Sequence, residues 1–415
     1  MRLLCINSEI MTFESFISKR LIKAKESSSA NRVIRIAVVS VALSVAVMLI
    51  SMSVLTGFKN GVKEKITGFG SHIRILPFTA SASYSDVPVY IDNRSLDLLS
   101  RTDNVKSITP VLNKSAVIIS GNDFHAVILK GITGSYDTAF FHDALVSGNM
   151  PKLGKDSKQE ILVSKNISDK LNLETGDKIK VYFYINDNYR SKNFYISGIY
   201  DTGLGDYDER FLICDAEVLQ NLFSLEENDF SSYEVTVENF SFLEPTADEI
   251  YEKLPQDMTV QTIDESEPSL FSWLNLLDSN VIMIIIIMIL VTVVTLSSVI
   301  LIMIYEKKQM IGILKSFGTP NSSIVKIFLY KVGYITLKGL LFGNIIALVI
   351  ECVQKYTNLI KLDAQSYYLT SVPVEINPLH IILINAGAFI ICMLCMLIPS
   401  RSIGKINVVE NLKFE

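Results

Sequence analysis

Residues 279–304, SNVIMIIIIMILVTVVTLSSVILIMI, contain no charged side chain, and the uncharged stretch continues through Tyr305. A helix apolar on every face is not the surface helix of a soluble domain. At 1.5 Å per residue, the run exceeds the roughly 20 residues that a hydrocarbon core demands. Working outward, three more runs meet that length: 33–56 (VIRIAVVSVALSVAVMLISMSVLT), 332–353 (VGYITLKGLLFGNIIALVIECV) and 379–398 (LHIILINAGAFIICMLCMLI). The first starts after some 30 residues, is too long for the apolar core of a signal peptide and lacks a following A-x-A site, so it is expected to be retained.

Charge placement orients these spans, because short loops rich in Lys and Arg stay in the cytoplasm. Arg2, Lys19, Arg20, Lys23, Lys25, Arg32 and Arg35 precede or open the first run; Lys307, Lys308, Lys315 and Lys326 lie between the second and third; Arg401, Lys405 and Lys413 follow the fourth. Between residues 58 and 275, acidic residues outnumber basic ones 33 to 20. The reading is a membrane α-helical protein with four transmembrane helices and cytoplasmic N and C termini. A large α+β extracytoplasmic domain is inserted between helices 1 and 2. Its parts are a cytoplasmic segment 1–32, first span 33–56, outer domain with stalk 57–278, second span 279–304, cytoplasmic loop 305–331, third span 332–353, short outer loop 354–378, fourth span 379–398 and cytoplasmic tail 399–415. Residues 13–25, FESFISKRLIKAK, place Phe13, Phe16, Ile17 and Leu21 on one face, the pattern of an interfacial helix.

Alternation and turn signals give the outer domain its strands and helices. Strands are expected at Ser71–Leu76, Val87–Ile91, Val105–Pro110, Ser115–Ile119, Phe124–Gly131, Glu160–Ser164 and Lys178–Tyr184. A β-region from Phe194 through Cys214 and strands at 232–238 and 258–263 follow. Helices are expected at Ser95–Arg101, Lys165–Leu171, 215–224 and 244–254. From Pro268 the pattern turns helical and runs into the second span. Cys214 is the one cysteine in this region, so it closes no internal disulfide. Cys392 and Cys395, mid-span, read as small packing residues.

No catalytic equipment is visible. Gly148 to Gly154 has five residues between its glycines and Asp156 where a phosphate loop needs Ser or Thr. The four histidines are scattered, no zinc spacing occurs, and no basic patch interleaved with aromatics points to nucleic acid. What remains is the segment between the second and third spans, YEKKQMIGILKSFGTPNSSIVK from Tyr305. Met310, Ile313, Leu314 and Phe317 recur there at helical spacing, and Gly318-Thr-Pro320 ends the helix. An apolar stripe this short needs either the lipid interface or the groove of a cytoplasmic protein. Gly339-x-x-x-Gly343 in the third span and Gly57-x-x-x-Gly61 at the exit of the first allow close helix packing, and Lys338 is a basic side chain within a span.

Six features in register, five stretches of sequence and the plan of the chain, then resemble the FtsX-like and MacB-like ABC transporter permeases, most nearly the lipoprotein-releasing type. They are VLTGFKNGVKEKITGFGSHIRI, ILVSKNISDKLNLETGDKIKVYFY, YEKKQMIGILKSFGTPNSSIVKIFL, YYLTSVPVEIN, the terminal IPSRSIGKINVVENLKFE, and the four-span plan itself. The resemblance implies that Glu306, Lys307, Met310, Ile311, Gly312, Ile313, Leu314, Lys315, Phe317 and Gly318 form a coupling helix for a separate cytoplasmic ABC ATPase, two copies of which hold the ATP and Mg. This chain itself would bind no cofactor or metal and would not be an enzyme. It further implies a second permease chain, a lipoprotein cargo, a periplasmic lipoprotein carrier and an inner-membrane location. Alternatives on the same plan are a MacB-like efflux permease and an FtsX-like regulator of cell-wall hydrolases. Two departures stand out: Asn186–Lys192 replaces the extended hook of carrier-binding members, and Lys331-Val332 replaces the family's usual Gln-Gly or Glu-Gly.

Overall fold

A computed structural model describes residues 28–78, 88–120, 123–154, 159–185, 188–397 and 399. The interfacial helix expected at 13–25, and the tail apart from Pro399, lie outside those residues. The chain divides into two compact units. One is built from the described parts of Met1–Phe58, Asn275–Ile360 and Val372–Glu415, the other from Lys59–Leu274 and Lys361–Ser371.

Four helices are long and apolar enough to cross a membrane. The first, Ser28–Gly70, has 43 residues and a length of about 65 Å. It continues well past residue 56 because Gly57 and Gly61 are tolerated in a helix that has no proline, and it stops where Ser71 takes a φ of 75°. The second, Pro268–Glu306, opens with proline at its first position, where the absent N–H is needed least. The third, Asn321–Thr357, closes on Asn358 in the left-handed conformation. The fourth, Pro378–Cys395, is capped by the Asn377 side chain, which accepts from the Leu379 N–H at 2.9 Å.

Val41, Val45 and Leu49 of the first helix form the core of this unit with Leu296, Ile300, Ile304, Val332, Ile335 and Cys392. Opposite faces leave Ile282, Ile286, Leu290 and Val294 exposed, a surface that water would penalise and hydrocarbon does not.

The other unit is organised by one mixed sheet. Its strands are β1 Ile73–Pro77, β2 Val105–Ser120, β3 Asp123–Ile132, β4 Leu145–Gly148, β5 Glu160–Ser164, β6 Lys178–Ile185, β7 Asn188–Tyr200, β8 Phe211–Asp215, β9 Ser232–Val237 and β10 Met258–Thr262. The order is β10-β1-β9-β2-β3-β8-β5-β7-β4, with β6 pairing both β2 and β7. Most pairs are antiparallel, while β3 with β8 and β5 with β7 are parallel. The first and last strands are neighbours, Ile73 facing Thr262 and Pro77 facing Met258.

Several sequence expectations shift. The two strands expected at Val105–Pro110 and Ser115–Ile119 are one, β2. The helix Ala139–Asp143 and β4 were not expected. Val89 makes only an isolated bridge to Phe230. Residues 188–192, read as part of a connecting loop, belong to β7, which pairs with β6 up to Ile185 opposite Asn188.

Candidate coupling surface and helix anchorage

After Glu306 the backbone breaks at Lys307 and restarts as the helix Lys308–Ser316. Gly318, at a φ of 80°, ends it by donating its N–H to the Lys315 carbonyl at 2.9 Å, while Thr319 N–H reaches the Leu314 carbonyl at 3.1 Å. Ile311 is fully buried in the same cluster as Met303, Ile304, Ile324 and Phe328, and Gly312 is buried beside it. Burying one isoleucine contributes about 2 kcal/mol, enough to hold a three-turn helix down. Leu314 packs partly against that cluster. It therefore does not belong to the outward stripe in which sequence spacing places it. Ile313 and Phe317 do, at 47% and 82% exposure, with Met310 half-buried behind them. Glu306 is exposed, and Lys307 and Lys315 are half-buried. The Lys308 ammonium lies 5.4 Å from the Tyr305 ring. The result is an apolar knob with basic flanks, which can dock in a pocket with an acidic rim.

The four glycines behave differently from one another. A Cβ on Gly339 would come within 2.6 Å of the Val41 side chain, and one on Gly343 within 2.7 Å of the Ala42 carbonyl, so the third helix meets the first almost backbone to backbone. Gly57 instead approaches the backbone of Pro373 and Glu375, at 3.0 Å, in the segment before the fourth helix. A Cβ on Gly61 would meet only the Leu369 methyls at 3.4 Å, an ordinary contact. Among the described residues, the nearest neighbours of both Gly57 and Gly61 lie in the segment before the fourth helix rather than in a helix.

In the other unit, the outer part of the first helix is fixed at two points. Phe69 sits in an aromatic cluster, its ring 5.3 Å from Phe141, 5.1 Å from Phe211 and 4.9 Å from Tyr207. Its carbonyl, at the helix C-terminus, accepts from the Lys130 ammonium at 2.6 Å, a favourable place for a cation. Lys130 is buried and also donates to the Tyr136 hydroxyl and to Glu234. Burial pushes its pKa down, and the paired Glu234 opposes that. One turn earlier, the Lys65 ammonium donates to the Thr202 carbonyl at 2.7 Å. The loop it grips is organised by Asp208, whose carboxylate accepts from the Thr202 N–H and hydroxyl and from the Gly203 N–H.

The start of the second helix is tied as firmly. Glu267 accepts from the Tyr207 hydroxyl at 2.7 Å, Phe271 stacks on Phe240, and Leu274 is fully buried. None of these ties was legible in the sequence. Lys130 reads as one more alternating polar residue, and only its place before Gly131 in an otherwise apolar strand hints at burial.

Against this geometry, residues 36–263 match the MacB-like periplasmic core domain, more than half of the chain, and residues 282–408 match the FtsX-like permease C-terminal domain. The chain belongs to the FtsX-like, MacB-like family of ABC transporter permeases. The FtsX-like match contains the helix Lys308–Ser316, and the MacB-like match contains Lys65, Phe69, Lys130 and Asp208. Among relatives, the lipoprotein-releasing system transmembrane protein LolC of Xylella fastidiosa (strain Temecula1) is 19% identical over 96% of this chain and 98% of its own. The LolC of Neisseria meningitidis is 22% identical over 98% and 100%. The periplasmic region of MacB from Actinobacillus actinomycetemcomitans, a solved structure, covers 50% of this chain and 97% of its own at 16% identity and a TM-score of 0.33. At that score it is the two sequence matches that carry the assignment. Membership of an ABC transporter permease family implies an ATPase to work with and a second permease subunit.

Proposed function

We propose that this chain is a permease subunit of a lipoprotein-releasing ABC transporter in the inner membrane, with both termini cytoplasmic and the sheet domain periplasmic. The cytoplasmic ATPase, two copies holding ATP and Mg, seats the helix Lys308–Ser316 through Ile313 and Phe317. Closure of the ATPase pair moves that helix, and Ile311 and Leu314 pass the movement to the helix bundle. The first and second long helices carry it on to the domain in which Phe69 and Glu267 are embedded. There the cargo, a membrane-anchored lipoprotein, is lifted from the outer leaflet for transfer to a periplasmic carrier.

The observation that carries the reading is the near end-to-end match with LolC proteins, together with a docking knob and two long helices whose ends are locked into the domain. Depletion of the chain followed by membrane fractionation tests the cargo. Outer-membrane lipoproteins should accumulate in the inner membrane, and normal sorting would refute it. Phe317→Asp tests the coupling. At 82% exposure the change leaves insertion intact, and stimulated ATP hydrolysis should fall at least about tenfold, the cost of an uncompensated carboxylate in an apolar pocket. Full stimulation in that variant rules out this docking surface.

A further inference from the structure

Between the first and third long helices lies a groove of about 680 Å³. The close contacts of Gly339 with Val41 and of Gly343 with Ala42 and Val45 set these helices parallel, each residue of one level with the residue about 300 positions later in the other. Arg35 is therefore level with Tyr334, between Lys331 and Lys338, and all four line the groove. The Lys338 ammonium lies 4.5 Å over the Tyr334 ring, one turn closer to the helix start. That is the direction in which helical side chains lean, and it lifts the charge out of the span toward the level of Arg35. Lys331 is 6% exposed. Among the described residues lining the groove none is acidic. Further along, Leu43, Phe342 and Ile346 make the walls apolar.

We propose that this groove binds one anionic phospholipid of the surrounding membrane. Its headgroup phosphate lies between Arg35 and Lys338, and one acyl chain lies along Leu43, Phe342 and Ile346. Arg35 and Lys338, on facing helices of one groove with no acidic residue in its lining, repel one another in a medium of low dielectric, so the site favours a bound anion. Basic pockets between spans, at the level of the headgroups, suit acidic lipids. The apolar continuation selects a tailed ligand over a free anion. A zwitterionic headgroup brings its own cation to a site already rich in them, so net charge decides between lipids. The site needs no assumption about the cargo of the transporter.

The test is native mass spectrometry of the full chain, in complex with its partner subunits, released from mixed phosphatidylcholine and phosphatidylglycerol membranes. The wild type should retain phosphatidylglycerol. Arg35→Gln with Lys338→Gln should weaken retention roughly ten- to thirtyfold, at about 1 kcal/mol for each basic side chain. Leu43→Trp, which fills the apolar half at an exposed position with every charge in place, should weaken it too. Lys326→Gln with Lys355→Gln, which removes the same charge outside the groove, should leave it unchanged. Equal retention by wild type and the Arg35/Lys338 variant would overturn the proposal. So would equal loss in the Lys326/Lys355 control, or phosphatidylcholine held as tightly as phosphatidylglycerol.

Discussion

Asp208 is 3% exposed, yet its carboxylate organises the loop that Lys65 grips. Burial raises its pKa to about 6, against the opposing hydrogen bonds from Thr202 and Gly203. An acid whose folded pKa lies above its unfolded value binds its proton more readily when folded. Folding is therefore unopposed below about pH 4, and stability is lost as pH rises from there through 6. The loss is on the order of 2 to 3 kcal/mol. Asp208→Asn keeps an acceptor for the two N–H groups and turns its amide toward the Thr202 hydroxyl. It should flatten the pH 4–6 slope of the melting temperature and raise that temperature at pH 7. An unchanged slope would show that another group titrates there. At this scale the sequence was least informative. Met310, Ile313, Leu314 and Phe317 share a helical face by spacing, but spacing does not say which side is down. Ile311 decides it by entering the cluster beneath, which turns Leu314 partly inward and leaves Ile313 and Phe317 outside.

The helices and strands were far more legible. Glu160–Ser164 and Lys165–Leu171 lie at the residues expected of them, and the structure adds the reason for the helix start, a Ser164 hydroxyl that accepts from the Ile167 N–H. β4, with four residues, is too short to show a period. Pro110 hid the unity of β2, yet it sits one residue before the ladder to β3 begins at Val111, where a missing N–H interrupts least.

The membrane helices carry a polar clasp that hydropathy averages away. Asn344 and Asn385 exchange amide hydrogen bonds at 2.7 and 2.9 Å between the third and fourth helices. Replacing either by Leu strands the other amide, and each single variant should lose about 1 kcal/mol. Replacing both should lose less than the sum, a coupling of roughly 0.6 kcal/mol readable by unfolding in detergent as a double-mutant cycle. Strict additivity would mean that the pair is not formed.

For the molecule as a whole, four long apolar helices and a separate α+β unit were readable from apolar length and alternation. The sequence showed the second long helix starting at Pro268, but not that the first runs unbroken to Gly70, nor that the ends of both are locked in the core of that domain. Transmission by such members depends on stiffness. Gly61 lies in the interior of the first helix with only Leu369 nearby, so Gly61→Pro removes a backbone hydrogen bond and adds a kink at a cost of about 3 kcal/mol, with little side-chain disturbance. In proteoliposomes with the partner ATPase, this variant should keep ATP hydrolysis and lose lipoprotein release. Intact release would mean that the first helix is not the member that carries the motion.

The pairing of β1 with β10 has a consequence for biogenesis. The sheet's first strand leaves the ribosome almost two hundred residues before the neighbour that completes it. At roughly 5–20 residues per second, β1 waits on the order of ten seconds or longer, with both edges open until its other neighbour, β9, is made. A nascent chain in that interval offers a template to any extended peptide it meets, so the interval is when a holding chaperone has most to protect. Once β10 arrives, the domain begins and ends side by side. That is the arrangement of a cassette that can be exchanged between relatives without redesigning the helices that hold it.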